Sequence, residues 1–197
     1  YMAAVTYMDE AIGALLALVE ETGLAQNTLV IFLSDNGGSG GADNTPLRGG
    51  KSQMFEGGLR VPCLVRWPGV IPAGSVCDEF LTTLEVFPTL CQAAGIAPPK
   101  DIVLDGFDMA PVLAGRQKSP RQEMFWQRQG DKAARAGSWK WVESARGSGL
   151  FDLANDISEK HDLSKEKPEM LAQMKARFAA WKQRMAEAEP RGTFRDY

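Results

Sequence analysis

The run Thr28-Leu29-Val30-Ile31-Phe32-Leu33 restricts the fold of this chain more than any other stretch. It is apolar or β-branched throughout, with no polar alternation, which suits a strand covered on both faces, as in a parallel sheet. Before it, Val5, Met8, Ile12, Leu15, Leu16 and Val19 recur at three- and four-residue steps, and Gly23 stands where helices tend to stop. The spacing predicts an amphipathic helix to about Thr22. A helix feeding directly into a buried strand points to α/β architecture with a parallel sheet. The strand ends at Ser34-Asp35-Asn36-Gly37-Gly38, and the carboxyl end of a strand in an open α/β sheet is where ligands usually bind.

From Gly37 to Gly58 the chain is loop-like and rich in glycine, with Pro46, Lys51 and Glu56 along it; loops this long are more often functional than idle. Leu59 to Trp67 reads as a second strand, placed at an edge or bulge by Pro62, and Pro68-Gly69 turns the chain. Leu84, Phe87, Leu90 and Cys91 mark a helix broken by Pro88 and ending near Gly95, with Pro98-Pro99 as a stop. Beyond about Gly115 the pattern changes. Phe125-Trp126, Ala136 to Val142 and Leu150 to Leu153 predict a small antiparallel sheet. A last helix is expected from near Pro168, with Leu171, Met174, Phe178, Trp181 and Met185 on one packing face and a loosely held tail after Pro190. The expected division is 1–117 and 118–197.

Charge limits the partners. Lys and Arg number 22 against 25 Asp and Glu, a net charge of −3, so no overall basic field is available for nucleic acid or an anionic membrane surface. Any anion must be held by a local site. Hydrophobic residues make up 44% and charged residues 24% of the 197 residues, which excludes a disordered chain and is enough to bury a core. No apolar run approaches the roughly 18–20 residues of a membrane span, and no signal-peptide pattern opens the chain. Tyr1 is followed by helical rhythm already at Val5, which reads as a chain entered in the middle. Cys63, Cys77 and Cys91 are widely spaced, with no Cys-x-x-Cys pair, so small buried hydrophobes are expected and zinc or a redox dithiol is not.

Asp35-Asn36 offers a charged and a neutral oxygen donor of the kind hard cations such as Ca²⁺ and Mg²⁺ take. The same residues, followed by two glycines, are also what a plain turn prefers. Lys51, in Leu47-Arg48-Gly49-Gly50-Lys51, could neutralise an oxyanion approaching a glycine backbone, or could be an ordinary surface lysine. The loop is not a Walker-type phosphate loop, because no Gly-x-x-x-x-Gly-Lys-[Ser/Thr] opens a helix. Glu56 and Arg60 are placed to pair and fix the entry to the following strand. His161 is the only histidine and lies among charged neighbours, so a Ser-His-Asp or Cys-His hydrolase assembled wholly within this chain would depend on that one poorly placed residue.

Taken in order, Tyr7 to Gly13, Asn27 to Gly38, Leu47 to Lys51, Phe55 to Pro62, Arg66 to Gly69, Gly137 to Val142 and Leu150 to Asp156 resemble the second half of a type I sulfatase, the arylsulfatase family of the alkaline phosphatase-like superfamily. The resemblance implies an α/β fold: the C-terminal part of a mixed or parallel sheet domain, plus a small antiparallel sheet with a C-terminal helix in α+β arrangement. It implies that Asp35 and Asn36 are ligands of the active-site cation, calcium with magnesium as the alternative, and that Lys51 binds the sulfate group and serves catalysis. The family's nucleophile, a formylglycine made from a Cys/Ser-x-Pro-x-Arg motif, is absent, since none of Cys63, Cys77 or Cys91 is followed by Pro-x-Arg. So are the family's paired aspartates and active-site histidines.

The expectation is a sulfuric ester hydrolase fragment that acts on a sulfate ester together with a missing N-terminal half. The resemblance also implies a periplasmic or secreted location, and an uncovered sheet edge or core face would favour self-association. Two alternatives stand beside it: a phosphoester or phosphonate ester hydrolase of the same superfamily, and a non-catalytic structural or binding module. From the small domain, Phe125, Trp126 and Arg128 could reach a substrate pocket.

Overall fold

A computed structural model describes residues 1–98 and 102–188; the expected Pro98-Pro99 stop falls partly, and the tail after Pro190 wholly, outside them. The chain divides into two units, Tyr1–Leu33 with Pro62–Gln122, and Ser34–Val61 with Glu123 onward.

In the first unit, α1 (Met2–Glu21) ends as its sequence predicts, with Thr22 as its C-cap. Gly23 takes a positive φ of 71° and donates to Glu20 O, while the Leu24 N–H reaches Val19 O. These paired bonds satisfy carbonyls that a helix end would otherwise leave open, at a backbone conformation glycine adopts without strain. None of α1 is buried, and Val5, Met8, Leu15 and Leu18 are exposed. Although Asp9 and Glu10 interrupt its apolar run, α1 is long and apolar enough to cross a membrane by length and composition, a property that core helices and signal sequences share.

β1 (Val30–Leu33) pairs antiparallel with β2 (Cys63–Arg66), from Val30↔Arg66 to Leu33↔Cys63. The helix-to-strand order pointed to a parallel neighbour. Apolar residues on both faces of β1 say that both want cover, but they do not say which way the next strand runs. The predicted second strand starts later than its sequence implied, because Leu59 belongs to a one-turn helix, α2 (Glu56–Leu59). Pro62 precedes β2, so its missing N–H costs the ladder nothing. Cys63 is exposed at the start of that strand rather than buried.

α3 (Val86–Ala93) is not broken by Pro88. That residue is the third of the helix, and the first turn has no intrahelical partner for its N–H groups in any case. Ahead of it Glu85, fully buried, accepts from the Thr82 N–H and from Arg121, and Arg121 also donates to Asp105 O at 3.0 Å. Thr89 donates to Glu85 O at 2.7 Å and accepts the Met109 N–H at 2.9 Å, tying α3 to the short α4 (Ala110–Leu113).

The second unit is built on a meander of β3 (Glu123–Arg128), β4 (Asp131–Ala136), β5 (Trp139–Ser144) and β6 (Gly147–Asp152), in that spatial order and antiparallel throughout. Two residues connect each pair of strands, and positive φ at Gln129 and Gly137 gives the first two turns the twist that tight hairpins need. Alternation along the strands divides the core in two. On one face Phe125, Ala134, Trp141 and Leu150 pack under α5 (Pro168–Glu187), against Met174 and Phe178. Phe178 meets Trp141 edge-on at 5.4 Å, and Phe125 stacks on Trp181 at 5.6 Å. The expected helix stripe is therefore packing, except that Met185, in the last turn, is exposed. On the opposite face Ala133, Val142, Phe151 and Leu153 pack against Met54 and Phe55 of the long loop.

Candidate active site

Asp35 and Asn36 follow the end of β1 at Leu33, with Ser34 between. The Ser34 hydroxyl donates to Asn36 O at 2.7 Å and closes the turn. From there the backbone runs straight onto the lysine loop: the Gly37 N–H donates to Gly58 O at 3.0 Å and the Lys51 N–H to Gly38 O at 3.2 Å. Lys51 occupies the tip of a four-residue turn closed by the Gln53 N–H on Gly50 O at 3.0 Å. The third turn residue, Ser52, has φ 68°, the left-handed conformation that a type II turn demands there. The backbone just past the Asp35-Asn36 turn and the Lys51 turn are thus hydrogen-bonded to one another.

Five glycines make this approach possible. A Cβ on Gly37 would fall inside the Gly57 carbonyl, one on Gly50 would lie 2.6 Å from Gly38 O, and one on Gly58 would lie 2.5 Å from Gly50 O. A Cβ on Gly57 would lie 2.6 Å from Arg48 O, and Gly38 is crowded by Ala42 and Asn44. At Gly37, Gly57 and Gly58 backbone therefore packs directly on backbone. Gly57→Ala should lower stability by about 1–3 kcal/mol, as overpacking does, seen as a lower urea midpoint with an unchanged slope. Gly13→Ala in α1, where a Cβ meets nothing within 4 Å, should be neutral or mildly stabilising.

Beneath the loop lies a buried charge network that sequence patterning did not predict. Lys140 Nζ, fully buried, contacts Glu56 Oε1 at 2.8 Å and Glu159 Oε1 at 2.9 Å, the latter an ion pair without hydrogen-bond alignment. The second Glu159 oxygen accepts the Glu56 N–H at 2.6 Å, at the start of α2. Burial pushes the Glu159 carboxyl above its ordinary value, against the opposing pull of Lys140 and the Glu56 amide. The expected Glu56–Arg60 pair is present at 3.7 Å on the network's outer side. Arg48 lies 3.9 Å over the Phe55 ring and donates to Glu159 O at 3.0 Å. Lys140 shares a strand face with Val142 and Phe151, so the four-stranded sheet grips the lysine loop from below through Phe55 and Glu56.

Asp35 and Lys51 are exposed and Asn36 is half-buried. The side chains of all three make no hydrogen bond or ion pair with another described residue, whereas nearby Ser34 and Asn44 do. One carboxylate and one amide oxygen on adjacent residues fit a hard cation in type, as two of the six to eight oxygens calcium takes. Among the described residues no group of three or more His, Cys, Asp and Glu is placed to hold a metal ion. Phe125 is not free to reach a substrate, being buried and stacked under α5; Trp126 packs on the opposite core face, and only Arg128 is exposed. His161 is exposed, 3.6 Å from Asp156, as its charged neighbours implied.

Comparison with known proteins follows the same division. Residues 1–96 match the Sulfatase family, and residues 50–184 match the family of the C-terminal region of N-sulphoglucosamine sulphohydrolase. Arylsulfatase A of Homo sapiens is 40% identical over 160 residues, which is 76% of this chain and 31% of that protein. Steryl-sulfatase of Rattus norvegicus is 43% identical over 136 residues, 64% of this chain and 24% of that protein. The solved structure of Ps i-CgsB in complex with k-i-k-neocarrahexaose matches with a TM-score of 0.80 and 35% identity, covering 88% of this chain and 40% of that chain. The chain thus spans about a quarter to a third of these curated relatives' length. The glycine-locked loop, the turn it holds and the sheet with its helix all lie within stretches that match, and the chain belongs to the sulfatase family, with the alkaline phosphatase-like fold of its neighbours.

Proposed function

We propose that this chain supplies part of the divalent-cation and sulfate-binding site of a sulfuric ester hydrolase. The observation that carries this is the junction of two loops: Asp35, Asn36 and Lys51 keep their side chains uncommitted, while the backbone between them is fixed by the Lys51 N–H on Gly38 O at 3.2 Å. Asp35 and Asn36 would hold calcium, or magnesium in its place, through their side-chain oxygens. Bound there, the cation would act as a Lewis acid on a sulfuryl oxygen. The Lys51 ammonium would bind the sulfate group and offset the negative charge that grows as the ester oxygen leaves.

The chain contains no Cys/Ser-x-Pro-x-Arg motif, so on this reading the formylglycine nucleophile and the remaining cation ligands come from sequence outside these residues. The loop of residues 34–61 belongs by sequence to the α/β part, 1–117, and the small subdomain, 118–197, holds it in place. A periplasmic or secreted setting accompanies the family reading.

Calorimetric titration of calcium into the intact protein tests the cation site. Asp35→Ala should weaken binding by more than the roughly 10–100-fold that loss of an outer-shell partner costs. An unchanged affinity would remove Asp35 from the site.

A further inference from the structure

Asn44 lies between the Asp35-Asn36 turn and the lysine loop, and nothing in the chemistry above uses it. Its side chain is half-buried and makes three hydrogen bonds, all to backbone. Oδ1 accepts the Gly38 N–H at 3.0 Å, and Nδ2 donates to Gly38 O at 2.9 Å and to Gly49 O at 3.1 Å. One amide thus engages both polar groups of Gly38, two residues past Asn36, and one carbonyl of Gly49, two residues before Lys51. The Lys51 N–H completes the set on Gly38 O. Asn44 is itself held by the Leu47 N–H on its own carbonyl at 2.8 Å.

Chemically, only an amide side chain supplies what this position takes. An acceptor is needed for the Gly38 N–H and two donors for the carbonyls, and a side chain of one carboxamide has this inventory. Aspartate would keep the acceptor but turn a second oxygen toward two carbonyls. Alanine would leave the Gly38 N–H and the Gly49 carbonyl without these partners, where glycine packing excludes most other side chains.

We propose that Asn44 is a positioning residue: a clasp that sets the distance between the cation turn and Lys51, and through Lys51 the fit of the site to a sulfate group. The inference rests on the sulfate reading of Lys51. Removal of the clasp lets the turn tip move relative to Asp35-Asn36, and a misplacement of about 1 Å at a reacting group costs on the order of a hundredfold.

The test is a double-mutant cycle read by calorimetry of inorganic sulfate binding to the intact, calcium-loaded protein, with the four species wild type, Asn44→Ala, Lys51→Ala and both together. Asn44→Ala should weaken sulfate binding by about tenfold or more. In the Lys51→Ala background the same change should cost less than about twofold, because the group that Asn44 positions is gone. A purely structural role would give the same loss in both backgrounds, and equal losses overturn the proposal. If Lys51→Ala leaves sulfate affinity unchanged, the sulfate reading falls and this inference with it; if Lys51→Ala weakens binding and Asn44→Ala does not, the inference alone falls. Should Asn44→Ala fail to fold, Asn44→Asp, which keeps the Gly38 bond, carries the same cycle with the same expected coupling.

Discussion

Replacing Lys140 by methionine is expected to destabilise the intact protein by about 3–5 kcal/mol, the usual cost of removing one partner from a buried ion pair. The ammonium is fully buried between two carboxylates, Glu56 at 2.8 Å and Glu159 at 2.9 Å, and both are themselves buried. Without it, two like charges face one another out of water, next to the Glu56 N–H that Glu159 holds at 2.6 Å. Methionine fills much of the stem's volume, so the loss reports charge more than cavity. Urea unfolding provides the measurement. Lys140→Met combined with Glu159→Gln should recover at least half of the loss, since glutamine keeps an acceptor for the Glu56 N–H and removes one of the stranded charges. A cost below about 1 kcal/mol for Lys140→Met, as for an exposed pair, would show that the network does not anchor the loop.

Lys51→Ala should reduce turnover of 4-nitrophenyl sulfate by the intact protein about 10²–10³-fold, the cost of deleting one donor that stabilises charge in a transition state. Its exposed side chain at the tip of the turn supports no described neighbour, so the unfolding midpoint should not move. Lys51→Arg keeps the charge but presents a broader planar fork in place of a compact ammonium, and should restore only part of the rate. Unaltered kinetics in Lys51→Ala would refute the role.

The two substitutions separate the layers of the structure. Lys140 is buried below the loop, where its loss is expected to lower stability; Lys51 is exposed at the tip of its turn, where on the proposed reading its loss lowers turnover. Glu56 connects them. Its carboxylate reaches Lys140, and its helix continues into Gly57 and Gly58, whose carbonyl and amide groups meet Gly37 and Arg48.

Local pattern made some of this legible. The three- and four-residue rhythm of α1 with Gly23 after it, the apolar run into Asp35-Asn36, and the Met174–Phe178 face of α5 each follow from side-chain period and turn chemistry, which neighbouring residues decide by themselves. Pairing direction does not. β1 looks the same to a parallel or an antiparallel partner, and only the path of the chain through residues 34–61 delivers β2 head to tail. β4 escaped notice because Ala133 and Ala134 carry no strong strand preference; they fit there because Phe55 and Phe178 fill the space on the two faces of the sheet.

In sequence Lys140 stands between two tryptophans, and lysine is rarely buried unless paired. Alternation with Val142 would have turned it inward, but an inward lysine makes sense only once Glu56 and Glu159, 84 residues before it in one case, are known to meet it. The clasp made by Asn44 was hidden for a similar reason, since three bonds from one side chain to backbone leave no periodic trace in sequence. Asp35, Asn36 and Lys51 are candidates through chemistry and family resemblance rather than period.

The most direct test of the central claim, that this chain carries cation and sulfate ligands of a sulfatase site, is a crystal structure of the intact protein grown with calcium and inorganic sulfate. Calcium should lie 2.3–2.6 Å from side-chain oxygens of both Asp35 and Asn36, the ordinary calcium–oxygen distance. The Lys51 ammonium should then lie within about 3 Å of a sulfate oxygen beside the cation. Calcium and sulfate bound together at a site from which Asp35, Asn36 and Lys51 are all absent would contradict it.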